Sequence, residues 1–338
     1  MLNRIIRIIG ATLCSALLLA GCCKKLHDPA PTPAEAISFD AGSSLLLHDV
    51  ISTKTTPLPN NTHFGVFAFK SNWSTSRKPD YMFNVDVLYD GSTYSYSPTR
   101  FWPPTDTRLN FWAYAPYDSH TESFYSYDSG TGVYSQYTTN SKNIPYVRFT
   151  MTDGTTDFLV SEIAKNQIST TNSGTVSLSF KHALSLIDFT VEKDDDTDDY
   201  EVILTDISLV DIFFTGIHCF VDGGNGTWTG HTGGRHTLSV LSSGSQEATG
   251  TRTAVSGASV MVVPQTVVNT DAMLRVVYTL ELRGSNNTKT NECYLPFTNN
   301  WEANGHYTYY LQITPDLPIE FTVGWSEWGV HYNYHLGS

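Results

Sequence analysis

From Ile37 onward the chain runs in short apolar segments, each closed by Gly, Asn, Asp or Pro. Phe64-Gly65-Val66-Phe67-Ala68-Phe69 is one, and Leu109-Asn110-Phe111-Trp112-Ala113-Tyr114, stopped by Pro116, is another. Val176-Ser177-Leu178-Ser179-Phe180, Leu186 to Val191, Ile203 to Phe214, Leu274 to Leu282, Tyr307 to Ile313 and Ile319 to Trp325 continue the pattern. Short runs with turn residues between them predict an all-β chain built from sandwiches. Nineteen Tyr and seventeen Phe beside only 16% charged residues favour strands over helices. Helical spacing is readable only for a turn or two around Phe180 to Leu186. No fixed-period repeat is present, which argues against solenoids and propellers.

The N-terminus has a different grammar. Arg4 and Arg7 precede an apolar run from Ile8 to Ala20, and Leu19-Ala20-Gly21 stands before Cys22. A basic start, an apolar middle and small residues at the end make a secretory signal peptide. The run is short for a membrane span, which needs roughly 20 apolar residues. A cysteine after Leu-Ala-Gly resembles the bacterial lipobox, so residues 1–21 read as a lipoprotein signal peptide and Cys22 as the lipidated residue. Residues 22–35, polar and Pro-rich, read as a flexible tether.

The mature chain is long enough for two domains. The polar stretch Lys165 to Gly174 places the division, giving an N-terminal β-sandwich over 36–175 and a C-terminal one over 176–338. The acidic run Glu192 to Asp199 competes, but it lies between two strand-like runs and reads as a hairpin loop.

The residues point away from catalysis. Removing Arg4 and Arg7 takes the formal charge from -13 to -15, which disfavours nucleic acid, whose phosphates demand a basic face. Counted from Asp194, the acidic run lacks the Gly and the Glu of a calcium loop. His231 and His236 have no further ligand close in sequence, so no metal is expected. Gly223 to Gly230 lacks nucleotide-cradle spacing and reads as a flexible loop with an exposed Trp228, and no cofactor is expected. No zinc-protease or serine-hydrolase signature occurs. Cys219 and Cys293 read as two separate thiols. Trp102, Trp112, Trp301 and Trp325 read as core. Tyr125, Tyr127, Tyr134 and Tyr137 flank a hairpin tip and are open to either a packing or a surface role.

Several segments then fall into one order: Thr53-Lys54-Thr55 before Phe64 to Phe69, LNFWAYAP over 109–116, Asp157-Phe158-Leu159, Phe180-Lys181-His182-Ala183-Leu184-Ser185, Val263-Pro264-Gln265, Trp301 to Tyr309, and Ile319 to Trp325. Behind a lipobox this order resembles the fimbrillin family of Bacteroidales lipoproteins, the subunits of type V pili. The resemblance covers roughly residues 36–328. It implies two transthyretin-like β-sandwich domains, a surface-exposed outer-membrane location in a fimbrium, and a role in cell adhesion without enzymatic activity. It implies other fimbrial subunits as partners and outer-membrane lipid through Cys22 acylated with palmitate. A host or bacterial surface glycan or protein is left open as a further partner. Assembly would proceed by strand exchange after a trypsin-like protease removes the first strand.

The residues can be read for that mechanism directly. Ile37-Ser38-Phe39-Asp40-Ala41 alternates apolar and polar, and Val50 to Pro59 is a polar linker with one basic residue, Lys54. A cut at Lys54 would detach the lipid and the first strand together and leave an open groove. Family members carry Arg in that triplet, so Arg77 is the alternative site. Val330, Tyr332, Tyr334 and Leu336 alternate with polar residues and form a candidate donor strand, or else the last strand of their own domain. A surface glycan-binding outer-membrane lipoprotein is the alternative reading.

Overall fold

A computed structural model describes residues 34–43, 56–70, 77–104, 107–194, 199–221, 226–242, 244–314 and 318–328. Cys22, Lys54, Val330, Tyr332, Tyr334 and Leu336 lie outside the described residues. The chain is all-β. Besides strands, the described residues contain only two short 3-10 turns, Thr121–Ser123 and Thr171–Gly174. The helical turn expected around Phe180 is not formed. Thr175–His182 and Ser185–Lys193 are strands, with only Ala183 and Leu184 between them.

The first sheet runs in the order Thr56–Pro57, Ser38–Ser43, Thr175–His182, Leu159–Ser161, Leu109–Ala115, Thr62–Lys70, Met82–Tyr89, Tyr94–Tyr96. Its middle explains why two sequence runs lack polar alternation. Every residue of Leu109–Ala115 is buried, as are Phe64 through Phe69 of Thr62–Lys70. Successive side chains leave a strand on opposite faces. One face sends Phe64, Val66, Ala68, Leu109, Phe111 and Ala113 into a core with Ile37, Phe39, Val176 and Phe180. The other sends Phe67, Phe69, Trp112 and Tyr114 into a second core that extends through the C-terminal half. Phe67 stacks on Trp112 at 4.1 Å between ring centres, and Trp112 meets Phe220 at 3.9 Å.

Two further sheets face each other across that second core. One holds Thr253–Val262, Ser185–Lys193, Gly305–Ile313 and Glu320–Glu327. The other centres on Tyr200–Cys219, a 20-residue strand that pairs with Met273–Leu282 on one side and with Thr227–Leu241, Gln246–Ala248 and Tyr146–Thr150 elsewhere along its length. Here the alternation is plain. Leu274, Val276, Tyr278 and Leu280 point inward along one strand, and Tyr307, Tyr309, Leu311 and Ile313 along another.

Chain order and sheet membership do not run in step. Thr175–His182, which contains both residues 175 and 176, pairs with Ser38–Ser43 in the first sheet. Phe124–Asp128, Val133–Gln136 and Tyr146–Thr150 join the sheet of Tyr200–Cys219. Cys219 and Cys293 carry free thiols. His231 and His236 each face a backbone carbonyl, of Pro264 and Gly233 respectively.

Tyr309 sits fully buried, its hydroxyl accepting hydrogen bonds from Trp301 Nε1 and Asn299 Nδ2, each at 3.2 Å. Burial pushes its phenol up to about 12. In the unfolded chain it titrates near 10, so below that pH the group contributes no pH dependence. As pH climbs from 10 towards 12 the unfolded chain loses a proton that the folded chain keeps, and stability falls. Tyr309→Phe should flatten part of this alkaline loss, about 2–3 kcal/mol by pH 12. Urea unfolding midpoints compared across the alkaline range check it. An unchanged slope in the variant contradicts the assignment.

Candidate functional site: the first strand and its groove

Ser38–Ser43 is a parallel strand. Its six residues pair in register with Thr175 to Phe180, which lie over a hundred residues later. Among the described residues, its other side pairs with a strand only at its end, where Gly42 and Ser43 meet Pro57 and Thr56. Just before it, Ile37 N–H donates to the Arg100 carbonyl at 2.9 Å and Trp102 N–H to the Glu35 carbonyl at 2.8 Å. Trp102 Nε1 also donates to the Gly174 carbonyl at 3.0 Å. Gly174 has φ +77, a left-handed conformation that favours glycine, and a Cβ there would lie 3.2 Å from Trp102 Nε1.

The alternation read from the sequence is the alternation observed. Ile37, Phe39 and Ala41 are 2%, 4% and 1% exposed, while Ser38 and Asp40 face solvent. The Phe39 ring stands edge-on to Tyr96 at 5.5 Å, Phe111 at 6.1 Å and Phe64 at 6.4 Å. Burial of side chains the size of Ile37 and Phe39 contributes about 1.5–3 kcal/mol each.

Between these two ends, tyrosines hold the outer edge of the strand. The Tyr94 hydroxyl donates to the Ala41 carbonyl at 2.7 Å and accepts from the Ala41 N–H at 3.1 Å. The Tyr96 hydroxyl donates to the Ile37 carbonyl at 2.8 Å. Both belong to Tyr94–Tyr96, the last strand of the same sheet. The sheet therefore rolls until its far edge reaches its near one, and two phenols make the join. Burial raises both phenols above their ordinary value, so at neutral pH each hydroxyl keeps the proton it donates. In the sequence these two do not stand out among nineteen tyrosines. The available signal was their i, i+2 spacing, which puts both on one face of a strand.

Other expected residues take packing roles. Trp228, read as exposed, is half-buried in the strand Thr227–Leu241; its indole N–H donates to the Ala183 carbonyl at 2.6 Å and its ring meets Phe158 at 5.7 Å. Tyr127 and Tyr134 face each other across a hairpin at 4.8 Å, Tyr125 binds Arg148, and Tyr137 stacks on Phe83 at 5.4 Å. Trp325 lies 58% exposed on the edge strand Glu320–Glu327 rather than in the core, whereas Trp102, Trp112 and Trp301 are buried. The proposed cleavage residue Lys54 falls in sequence between the described Ser43 and Thr56.

Comparison with known proteins gives consistent results. The sequence matches the fimbrillin-like family over residues 52–328. Over 189 residues it is 28% identical to fimbrium subunit Fim1C of Phocaeicola vulgatus, covering 51% of this chain and 48% of that protein. The match thus spans about half the length of that relative. In three dimensions it resembles a fimbrial protein from Bacteroides vulgatus, with TM-score 0.64 and 19% identity over 87% of this chain and 99% of that one. A candidate cell-adhesion protein from Bacteroides ovatus gives TM-score 0.51 and 14% identity over 88% and 99% of the two chains. At such identities the structural likeness speaks to fold.

Tyr94→Phe would leave a buried Ala41 N–H and carbonyl unpaired, at about 1–3 kcal/mol. Phe39→Ala should cost more, about 3–5 kcal/mol, by emptying a box of rings. Urea unfolding of the single variants measures both. If Tyr94→Phe proves neutral, the phenol is not holding the strand.

Proposed function

The chain belongs to the fimbrillin-like family, and we propose that it is a structural and adhesive subunit of a cell-surface fimbria, exported as a lipoprotein and assembled by exchange of its first strand. Cys22, after Leu19-Ala20-Gly21, is the acylation site that tethers the precursor to the outer membrane. Several acyl chains hold far better than one, since each buried CH₂ adds roughly 0.8 kcal/mol.

The observation that carries the reading is how the first strand is held. Ser38–Ser43 has one full backbone ladder, to Thr175–His182, and a second edge satisfied largely by tyrosine hydroxyls. Such a strand can be replaced by another extended segment without rebuilding the sheet. Cleavage at Lys54 frees the strand from the rest of the subunit. Its departure uncovers Phe64, Tyr96 and Phe111 and leaves Thr175–His182 unpaired on one side, a costly state until another strand fills the groove. Main-chain bonds then supply affinity, and pockets for alternate side chains set register. Val330, Tyr332, Tyr334 and Leu336 are the donor candidates on this chain. The glycan-binding alternative draws less support, because Trp228 and the hairpin tyrosines are engaged in packing within the fold.

Protein released from the surface in assembled form should begin at Thr55, and Lys54→Ala should leave an acylated monomer that does not polymerise. Mass spectrometry of N-termini and high-mass ladders on unheated gels read both. Cys22→Ala should yield a precursor without acyl mass. Assembled material that still begins at Cys22 would overturn the strand-exchange reading.

A further inference from the structure

Resting on the strand-exchange reading above, we propose that the groove selects its incoming strand by size at three places. It takes a bulky aliphatic residue where Ile37 sits, an aromatic where Phe39 sits, and nothing much larger than alanine where Ala41 sits. The fitted partner is a different subunit presenting such a segment, rather than a second copy of this chain presenting residues 330–336.

The third place is the restrictive one. Ala41 is 1% exposed and lies in register with Leu178, itself 2% exposed. Beside it stands Tyr94, whose hydroxyl holds both backbone groups of Ala41. That ring, half-buried, is packed on two sides. It stacks on Tyr89 at 4.7 Å with 24° between the planes, and Phe64 stands edge-on to it at 6.2 Å. Tyr89 is fixed in turn, its hydroxyl donating to the Gly91 carbonyl at 2.9 Å. Phe64 is fully buried and packs edge-on against Phe180 at 5.6 Å. A larger side chain at the Ala41 place must displace Tyr94 from the backbone it binds, or push into rings that are themselves buried and packed on one another. The phenol thus acts as a gauge. It reads the peptide unit of any strand, but only a strand with a small side chain at that place lets it reach.

The Phe39 place makes the opposite demand. Rings of Phe64, Tyr96 and Phe111 surround it, and a small residue there would leave a cavity. Val330, Tyr332, Tyr334 and Leu336 are all larger than alanine. Any register, in either direction, that buries three of them in succession sets a bulky side chain on the Ala41 place. The chain's own candidate donor therefore matches its own groove poorly, and the junction formed here joins unlike subunits.

The test uses the full mature chain with a site for a specific protease inserted between residues 44 and 55, cut once, and challenged with fluorescent peptides. Anisotropy follows their entry. The peptide of residues 35–44 should bind, and its Ala41→Ser form should bind within about threefold. The forms with Ala41→Tyr or Phe39→Ala, and the peptide of residues 329–336, should bind about tenfold more weakly or worse. In the uncut chain, Ala41→Tyr should lower Tm and Ala41→Ser should not. If the Ala41→Tyr peptide, or that of residues 329–336, enters as well as the native one, size selection is wrong while strand exchange stands. If the native peptide itself never enters the cut protein, strand exchange falls and the selection falls with it.

Discussion

Two strands that are buried on both faces hold this molecule together. Thr62–Lys70 and Leu109–Ala115 lie side by side in the first sheet and feed opposite side chains into two different cores. A sheet with only one buried face can slide or tilt over what it covers. Here any movement of Trp112 or Phe67 is felt by Phe220 on one side and, through the shared backbone, by Phe111 and Phe64 on the other. Phe64 and Phe111, which wall the groove of the first strand, stand on that shared backbone and cannot shift without disturbing the second core. A site that must recognise an extended segment by side-chain size needs walls that do not yield.

The all-β class was legible because period-two alternation and turn residues speak directly to backbone geometry. Ile37, Phe39 and Ala41 were legible as one inward face for the same reason. The runs Phe64 to Phe69 and Leu109 to Tyr114 were recognised as strands, but their lack of alternation concealed the more useful fact that they serve two cores. Sheet membership was not legible. Nothing local in Val176-Ser177-Leu178-Ser179-Phe180 says that it will lie parallel to Ser38–Ser43, and nothing in Phe124 to Thr150 says that it will join the sheet of Tyr200–Cys219. Pairing partners far apart in sequence are chosen by the whole core. Trp228 misled for a related reason. Its glycine-rich surroundings suggested exposure, yet those glycines include Gly226, whose missing Cβ leaves room for the His218 ring.

The candidate site divides recognition between two kinds of contact. Backbone hydrogen bonds to Thr175–His182 are indifferent to sequence, and so are the hydroxyls of Tyr94 and Tyr96. Discrimination rests on three inward side chains. Separating the two lets a groove bind tightly while remaining selective, because affinity can be spread along the main chain and choice concentrated at a few packed positions. It also explains why phenols suit the join better than another strand would. A full ladder on both edges would bury the first strand's backbone symmetrically and make it hard to remove. A hydroxyl satisfies the same groups from a side chain that stays behind.

The parallel pairing has a further consequence in time. Ser38 and Thr175, whose hydroxyls lie 2.8 Å apart, are separated by 137 positions along the chain. A polypeptide made at roughly 5–20 residues per second therefore produces its first strand about 7 to 27 seconds before the strand that will hold it. Ile37 and Phe39 must wait through much of synthesis with no permanent neighbour. The groove, for its part, is completed only when Thr175–His182 arrives, at a moment when its own strand is present by covalent attachment and therefore at high local concentration. Attachment, more than contact strength, decides the first occupant. Were that attachment severed, the advantage would disappear, and the choice would pass to whichever strand fits best.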